Sequence, residues 1–482
     1  MSWRGCSGAW VTPGLLLIAA CADHAPPRQA EAPAAARTCE VSRYGALGDG
    51  RTKDTAALQR AIDDCATGSG GVVELTRGTY LSGTIRLRSH VTLQVDAGAT
   101  LLGSRDADDY PTLRPPVDNT QLAQCRRALV YAEGATDVHV RGAGTIDGNA
   151  DFERWRAMTL PEGERPMAIF TALSNDVSIT GVTVRHSATW GVVNLEVAHL
   201  AVRGITVDSP LGPTHDGIDV VDGHDVVIED NTITAGDDGI CLKSGSATGL
   251  RDVTVRRNHV LGAGVANGLK LGTASTGPMR RIVFEDNVIE HAQAAGIAVE
   301  SVDGGEVSDV TFRRTTLSDV GTPVFVLLGA RGGGAARTGA IHDLRFETLR
   351  ADRIRYPWGA IISGAPADAA GRHDVSTVTF RDVAITFAGK GAAAGPHVFG
   401  STPAEAARFP VYAGGYPDAK FLFATPTSKS EVSDYALPGW AFFVRDARGV
   451  RFEDCRLTLS GVDDRAAIVS HEAIVEGDCA VK

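Results

Sequence analysis

The sequence is poor in aromatic residues, which make up 6% of its 482 residues, and rich in glycine, with 55. This balance is typical of a turn-rich β fold. The chain also lacks a run of Lys or Arg, and its formal net charge is −11. We therefore expect no nucleic-acid partner, because such proteins gather basic residues into a patch or stripe.

Closely spaced pairs of Cys or His are absent too, which argues against a zinc site. We expect no metal and no cofactor. Six cysteines follow Cys21, and they could form disulfides if the protein is exported. Cys39 with Cys65 would tie the first strand to a helix, and Cys455 with Cys479 would tie down the C-terminal tail. Two cysteines, Cys125 and Cys241, have no obvious partner.

No apolar run near the start is long enough to span a membrane, since Leu15–Ala20 covers only a few residues. With Arg4 as the only charge before it, this run is typical of a secretory signal. Its ending at Cys21 resembles the bacterial lipoprotein cleavage box, and an ordinary signal peptide that contains a cysteine is the alternative. We predict a signal peptide over 1–21 and an Ala/Pro-rich tether over 22–37. The protein would then be exported and anchored at the periplasmic or outer membrane by a lipid on Cys21, or otherwise secreted.

An apolar-x-apolar motif repeats through the middle of the chain. Its copies are Val177/Ile179, Leu200/Val202, Val226/Ile228, Val253/Val255, Ile282/Phe284, Val310/Phe312, Leu344/Phe346 and Val378/Phe380. The steps run from 23 to 34 residues, which indicates a solenoid. Because short β-branched runs alternate with Gly, Asn and Asp, the coils are strands and turns. The sequence therefore predicts an all-β fold, a right-handed parallel β-helix.

Three further features complete this architecture. Asn231, Asn258 and Asn287 recur on successive coils and can hydrogen-bond along the axis. Asp54–Ala66 has a helical apolar stripe, with Asp54 as the N-cap, and would cover the N-terminal end of the solenoid. The period is lost over about 387–440, where we predict long loops, before a strand pair at Ala441–Val444 and Val450–Phe452. Residues 38–482 would form one domain, and we expect a monomer.

Three motifs of the form x-Gly-apolar-polar-apolar place carboxylates on neighbouring coils. The residue before the Gly is Asp216, then Asp238, then Asn267, and Asp237 lies beside Asp238. Stacked in register, Asp216 and Asp238 would be about 5 Å apart. Such a cluster suits acid–base catalysis, because crowded carboxylates cannot all ionise easily. The alternative is that these residues merely cap turns, where Asp is common.

The chain resembles glycoside hydrolase family 28, the polygalacturonases and their pectin-cleaving relatives, over roughly 39–460. The opening Tyr44–Gly50, with Gly70–Val73 and Gly78–Leu81, looks like the N-terminus of that family. More specific are Asp216–Asp219 and Gly236–Asp238, which match its Asn-Thr-Asp-Gly and Gln-Asp-Asp-Cys motifs in position and spacing. The resemblance implies an inverting glycosidase that cleaves a pectin-type polysaccharide or oligosaccharide. Asp237 would be the general acid, and Asp216 with Asp238 would activate a water molecule.

The chain departs from the family pattern at two places. The family has Gly-His-Gly at Ala266–Gly268 and Arg-Ile-Lys at Ala298–Glu300, the strand that would hold a substrate carboxylate. By the period-two rule, Lys243 and Lys270 share an outer face with Asp219 and Glu300 and could replace the lost basic pair. The alternative is that these lysines are solvated surface residues. An acidic Glu300 favours rhamnogalacturonan or another pectic chain over plain polygalacturonate.

The remaining candidates for substrate contact come from the same coils. His215 could tune Asp216 or touch a sugar, and a plain surface histidine is the alternative. Trp190 precedes Gly191 in the column of Asp216 and could stack on a sugar ring or pack under a loop. The substrate-binding set is therefore Trp190, His215, Asp219, Lys243, Asn267, Lys270 and Glu300. Two other functions stay open, a carbohydrate-binding β-helix without turnover and a β-helix polysaccharide lyase using Ca²⁺.

Overall fold

A computed structural model describes residues 37–114, 118–122, 125–150, 164–210, 214–262, 267–330, 338–354, 359–368, 371–389 and 439–482. The predicted signal peptide with Cys21, most of the tether, and most of the predicted loop segment lie outside the described residues. So does Ala266. None of the helices in the described part could span a lipid bilayer.

Thirty-two of the described strands form one sheet, and all of the strand pairings in it are parallel. The first coils contain β1 (Arg37–Glu40), β2 (Asp49–Lys53), β3 (Gly71–Leu75), β4 (Gly78–Ser82), β5 (Ile85–Arg86), β6 (Val91–Val95), β7 (Ala99–Gly103), β8 (Ala128–Glu133), β9 (Thr136–Gly142), β10 (Thr145–Asp147), β11 (Met167–Ala172), β12 (Asn175–Thr180) and β13 (Thr183–Arg185). The middle coils contain β14 (Val192–Arg203), β15 (Thr206–Ser209), β16 (Ile218–Glu229), β17 (Thr232–Ala235), β18 (Ile240–Ser244), β19 (Leu250–Arg256), β20 (His259–Gly262), β21 (Leu269–Ser275), β22 (Met279–Glu285), β23 (Val288–Glu290) and β24 (Ala295–Ser301). The last coils contain β25 (Glu306–Ser318), β26 (Thr322–Leu328), β27 (Ala340–Ile354), β28 (Ala360–Ser363), β29 (Ala365–Asp368), β30 (Gly371–His373), β31 (Val375–Phe387), β32 (Gly439–Leu459), β33 (Ala466–Glu476) and β34 (Cys479–Val481). Each strand of this sheet pairs with its counterpart one coil on, so the fold is the predicted right-handed parallel β-helix. β29 and β30 form a separate antiparallel pair.

The interior is a set of stacked apolar rows, one residue from each coil. The first residues of consecutive copies of the motif are paired directly in neighbouring strands, from Val177 with Leu200 to Leu344 with Val378, as predicted. The second motif position builds a stack of phenylalanine rings whose neighbouring centroids are 4.6, 5.1, 4.7 and 5.2 Å apart: Phe284, Phe312, Phe346, Phe380 and Phe452. Each coil therefore buries its side chains against the next coil.

The predicted asparagine ladder is confirmed. Asn231 Nδ2 donates to Asn258 Oδ1 at 2.9 Å, and Asn258 Nδ2 donates to Asn287 Oδ1 at 3.0 Å. All three residues are buried. The buried amide groups thus satisfy one another's hydrogen bonds along the solenoid axis.

The N-terminal helix α1 spans Thr55–Cys65, and its five predicted apolar residues are buried. Asp54 stands at the N-cap position as predicted, but its side chain makes no cap hydrogen bond. Instead, the Asp54 carboxylate accepts hydrogen bonds from the backbone N–H groups of Leu47 (2.8 Å) and Gly48 (3.0 Å). The predicted Cys39–Cys65 disulfide joins β1 to this helix. Two short 3₁₀ helices, Val41–Tyr44 and Ala107–Asp109, complete the helical elements of the described residues.

The C-terminal coils differ from the predicted strand pair. Both predicted segments belong to the single bent strand β32, and they do not pair with each other. Its first half pairs with β28 and its second half with β31, because one strand continues two columns of the solenoid. The predicted Cys455–Cys479 disulfide links β32 to β34. Cys125 and Cys241 are buried and not in a disulfide.

Candidate active site

A column of glycines positions the site at the turns that enter β16, β18 and β21. Backbone hydrogen bonds of 2.8–2.9 Å keep Gly217, Gly239 and Gly268 in register from coil to coil. A Cβ atom on these glycines would lie 2.3–2.5 Å from the side chains of Ile233, Val260 or Ile289. The turn therefore sits directly on the next strand, and any larger residue would push it away.

The residues before these glycines form the predicted column, in which Asp216, Asp238 and Asn267 follow Trp190. Asp216 and Asp238 are each only 3% exposed, and their carboxylates lie within 4.8 Å of each other. Their predicted adjacency on neighbouring coils is confirmed. Asp237 is less buried, and its Oδ2 accepts a hydrogen bond of 2.8 Å from the backbone N–H of Thr214. These three aspartates are called the carboxylate cluster below.

The two lysines reach back from their own coils to this cluster. Lys243 Nζ donates to Asp216 Oδ2 at 2.9 Å and also bonds Asp219 Oδ1, which lies at the same outer face. Lys270 Nζ donates to Asp238 Oδ2 at 2.9 Å. Both lysines are buried, so the interpretation of them as solvated surface residues is wrong. The predicted contact with a substrate carboxylate stays a prediction.

Asn267 occupies the position where the resembled family has histidine. Its Nδ2 donates to Asp238 Oδ1 at 2.7 Å, and its Oδ1 accepts from the backbone N–H of Ala295 at 3.1 Å. The Cys241 thiol lies 3.6 Å from Asp238 Oδ2 and donates to Gly272 O at 3.1 Å. Both carboxylate oxygens of Asp238 are therefore held, by Asn267 and Lys270 of the following coil and by Cys241 of its own coil.

The environment splits the pKa values of the neighbouring aspartates. Removal from water, then the negative charges of Asp238 and Asp216, raise the pKa of Asp237 to about 7. Burial also opposes ionisation of Asp238, but Lys270, Lys243 and the Asn267 hydrogen bond outweigh it and lower its pKa to about 2. Burial raises the pKa of Asp219 despite Lys243. Near neutral pH, one carboxyl can therefore carry a proton beside an ionised one.

The other predicted site residues surround this centre. The Trp190 ring lies under the Lys243 ammonium, with Nζ 4.5 Å from the ring centroid. His215 is 5% exposed, so the alternative of a plain surface histidine is wrong, and its backbone O accepts from Gly236 N. Glu300 is completely buried and accepts from Thr273 Oγ1 at 3.0 Å. Their contacts with a sugar stay predictions.

Sequence reasoning missed two contributions to the site. Thr214 has a backbone φ of 64° and aims its N–H at Asp237, a geometry that no motif signals. The link from Lys243 to Asp216 was also missed, although the spacing of the two residues by one coil was a usable signal. The position of a residue in the repeat predicts the face of the sheet on which its side chain lies. It does not predict whether a long side chain extends along the solenoid axis to the next coil.

Two clusters of described residues have ligand atoms close enough to share a cation. Asp216, Asp238 and Cys241 form one, and His199, His224 and Asp225 form the other. In the first cluster, Lys243 and Lys270 already supply the positive charge, so a cation would have to displace an ammonium group. The second lies at the surface, where Asp225 Oδ2 lies 2.7 Å from His224 Nδ1.

The fold and the site define a parallel β-helix protein with a cluster of three aspartates and two buried lysines. The chain belongs to glycosyl hydrolases family 28, whose family model matches residues 65–353. It is 30% identical over 302 residues to a probable polygalacturonase of Vitis vinifera, covering 58% of this chain and 61% of that protein. It is 24% identical over 342 residues to an exo-poly-alpha-D-galacturonosidase of Dickeya chrysanthemi, covering 59% of this chain and 56% of the relative.

Solved structures share the fold. An exopolygalacturonase from Thermotoga maritima superposes with a TM-score of 0.63 at 22% identity, over 73% of this chain and 87% of that one. A family 28 exopolygalacturonase from Yersinia enterocolitica gives 0.61 at 20% identity, over 93% and 78%. The chain thus spans about 60% of the length of the sequence relatives but most of these two structures.

Proposed function

We propose that this protein is an inverting glycoside hydrolase that cleaves a pectin-type polysaccharide or oligosaccharide, with Asp237 as general acid. One observation carries the proposal. The carboxylates of Asp216 and Asp238, both buried, lie within 4.8 Å of each other, and the less buried Asp237 directly precedes Asp238. The opposite pKa shifts of Asp237, raised to about 7, and Asp238, lowered to about 2, agree with this arrangement. A proton donor beside an ionised base is the arrangement that glycoside hydrolysis requires.

In this mechanism, the protonated Asp237 donates its proton to the glycosidic oxygen as the bond from that oxygen to the anomeric carbon breaks. A water molecule attacks the anomeric carbon from the opposite side, and its proton passes to Asp216 or Asp238. Asp237 ends ionised and one base ends protonated, so proton exchange with solvent restores the starting state. The exposure of Asp237 relative to its buried partners supports its role as the donor to substrate.

For the substrate, we propose rhamnogalacturonan or another pectic chain other than homogalacturonan. The support is Ala298 and Glu300, which stand at the positions of the family's Arg and Lys. Ala298 is paired with Lys270 in the neighbouring strand, one coil further on. This coil therefore has a methyl group where the family has a cationic side chain. The electrostatic repulsion between an acidic side chain and a bound uronate costs more free energy in a partly dry cleft than in water.

The geometry disfavours a lyase. A lyase of this fold needs a basic side chain that can lose its proton, with Ca²⁺ to neutralise the substrate. Burial acts to lower the pKa of Lys243, but Asp216 and Asp219 outweigh it and raise that pKa well above its usual value. Lys243 therefore stays an ammonium ion, which is the wrong protonation state for proton abstraction.

A panel of plant and algal polysaccharides tests the function directly. We expect new reducing ends from a rhamnogalacturonan-type substrate, little release from polygalacturonate, and no ultraviolet absorbance from unsaturated sugars. NMR of the first-formed anomer should show inversion. Retention, unsaturated products, or polygalacturonate as the best substrate would each contradict a part of the proposal, and binding without turnover would favour the non-catalytic β-helix.

We also propose that the protein is exported, is anchored by a lipid on Cys21, and acts as a monomer. Two disulfides support an oxidising compartment, because such bonds rarely persist in the cytosol. Cys21→Ser should move the protein from the membrane fraction or leave its signal uncleaved, since multiple acyl chains on this cysteine are what would hold it. Unchanged fractionation of the variant would rule out the anchor, and light scattering would test the monomer.

A further inference from the structure

Each lysine of the site bonds a carboxylate that lies one coil nearer the N-terminus. Lys243 of β18 bonds Asp216, which precedes β16, and Lys270 of β21 bonds Asp238, which precedes β18, both at 2.9 Å. In both pairs the lysine side chain is 5–7% exposed and the aspartate side chain 4–5%. The same contact is therefore built twice, on successive coils, from residues at different positions of the repeat.

We propose that Lys270 and Lys243 are positioning residues that hold Asp238 and Asp216 as ionised bases, instead of binding a carboxylate of the substrate. The inference rests on the hydrolase function proposed above and assigns its two lysines a different task from the one predicted from sequence. Lys270 is the sharper case, because its partner Asp238 is also fixed by Asn267 through the other carboxylate oxygen.

Burial explains why each buried aspartate needs a lysine clamp, by which we mean an ammonium group bonded to its carboxylate. A carboxylate removed from water favours its neutral form, and a neutral Asp238 could not accept a proton from water. An ammonium ion at 2.9 Å reverses that preference. The groups around Asp238 that bear or can bear charge are Asp216, Asp237, Cys241, Lys243 and Lys270, with His215 next to Asp216 in the chain.

The clamp also differs from the histidine that the resembled family carries at the position of Asn267. An imidazole loses its charge near neutral pH, whereas a lysine ammonium stays charged to much higher pH. Asp238 should therefore remain ionised across the working range. Its persistent negative charge in turn favours the protonated form of Asp237.

The test is the pH dependence of kcat in Lys270→Met and Lys270→Arg. Without the ammonium, we expect the acidic limb of the Lys270→Met profile to move up by at least about one pH unit, with KM changed by less than about twofold. Lys270→Arg keeps the positive charge and should restore the wild-type limb. Lys53→Met is the matched control, because Lys53 pairs with Asp109 at 2.8 Å but is 49% exposed and outside the site.

A substrate-binding lysine predicts the reverse result. KM for uronate-containing substrates would rise by about tenfold or more in Lys270→Met, and the acidic limb would stay in place. That outcome overturns the proposal. So does a shifted limb that Lys270→Arg fails to restore, because the charge would then not be the cause.

A measurement without substrate separates this proposal from the hydrolase function and does not depend on folding of the Lys270 variants. In wild-type protein labelled with ¹³C at the aspartate carboxyls, the Asp238 signal is assigned by its loss in Asp238→Asn. We expect Asp238 to be still ionised at about pH 4, near the ordinary aspartate pKa. Titration at or above that pH overturns the clamp. A clamped Asp238 in a protein that cleaves no polysaccharide overturns the hydrolase function alone.

Discussion

Acidic and basic side chains form ion pairs in two regions of this solenoid, a buried one at the site and an exposed one at the surface. At the site, Lys270 and Asp238 meet at 2.9 Å with side chains 5% and 4% exposed. On another turn, Arg314 and Asp286 meet at 2.7 Å with side chains 48% and 40% exposed. The distances are nearly equal, so burial and not geometry distinguishes the two pairs.

The exposed pair belongs to a charge ladder of Asp230, Arg257, Asp286 and Arg314, one residue from each coil. Each of the four has a positive φ of 50–59°. Water and salt screen these charges, so the ladder adds little to stability. The buried pairs lie where screening is weak, and there the same charges set which carboxyl carries a proton.

The largest expected effect is on catalysis by the buried cluster. Asp237→Asn should lower kcat by roughly 10²–10⁴-fold or more, because an amide cannot donate the proton that the leaving oxygen needs. Asp230→Asn, in the exposed charge ladder, is the matched control and should leave kcat unchanged. Rates would be measured on the substrate that the polysaccharide panel identifies. Near-normal turnover by Asp237→Asn would remove this residue from the mechanism.

The pH profile of the wild-type enzyme should show the consequence of the pKa split. A general acid works only while protonated, so kcat should fall as the pH rises through about 7, the pKa of Asp237. A base works only while ionised, and the low pKa of Asp238 at about 2 keeps this base active well into acid. Activity against pH in buffers of constant ionic strength tests this. A maximum above about pH 8 would contradict the assigned acid.

The fold could be read from the sequence far better than the site could. Val177 to Val378 kept their register because the rows of the core need one apolar residue per coil, and that need is periodic. Asp54 was placed correctly at the N-cap, but the partners of its carboxylate, the backbone N–H groups of Leu47 and Gly48, depend on the path of the preceding turn and were not predicted. The one-coil spacing of Lys243 from Asp216 was a signal for their contact, but a repeat fixes only the position of a residue on its coil and not its side-chain torsions, so the final reach of either lysine could not be predicted.

A smaller effect is expected from the asparagine ladder, a buried stack without charge. Asn258→Ala removes bonds to Ile228 O, Asn287 Oδ1 and Asn231 N, and it leaves buried polar groups without partners. Each such group costs about 1–3 kcal/mol, so for three groups we expect a loss of at least about 3 kcal/mol in the free energy of unfolding. Asn175→Ala is the control, because among the contacts described the Asn175 side chain bonds only the exposed neighbour Asp176, and its backbone bond to Ala135 O does not need the side chain. Denaturant unfolding would measure both, and equal stability would refute the ladder's role.

The smallest effect should come from the charge ladder itself. Arg314→Ala removes the bonds to Asp286 at 2.7 and 2.9 Å and one to Glu285 at 3.0 Å, and the half-exposed Asp286 then faces water. The neighbouring Glu285 keeps its bond of 2.7 Å from Arg313 Nε. We expect a slight fall in melting temperature at low salt that disappears at about 1 M salt, where screening acts within about 3 Å. Thermal unfolding at both salt concentrations tests this. A large fall that persists in salt would mean that the exposed ladder stabilises the fold through packing of the arginine stem. The exposed and buried pairs would then differ in their effect on carboxyl protonation but not in whether they stabilise the protein.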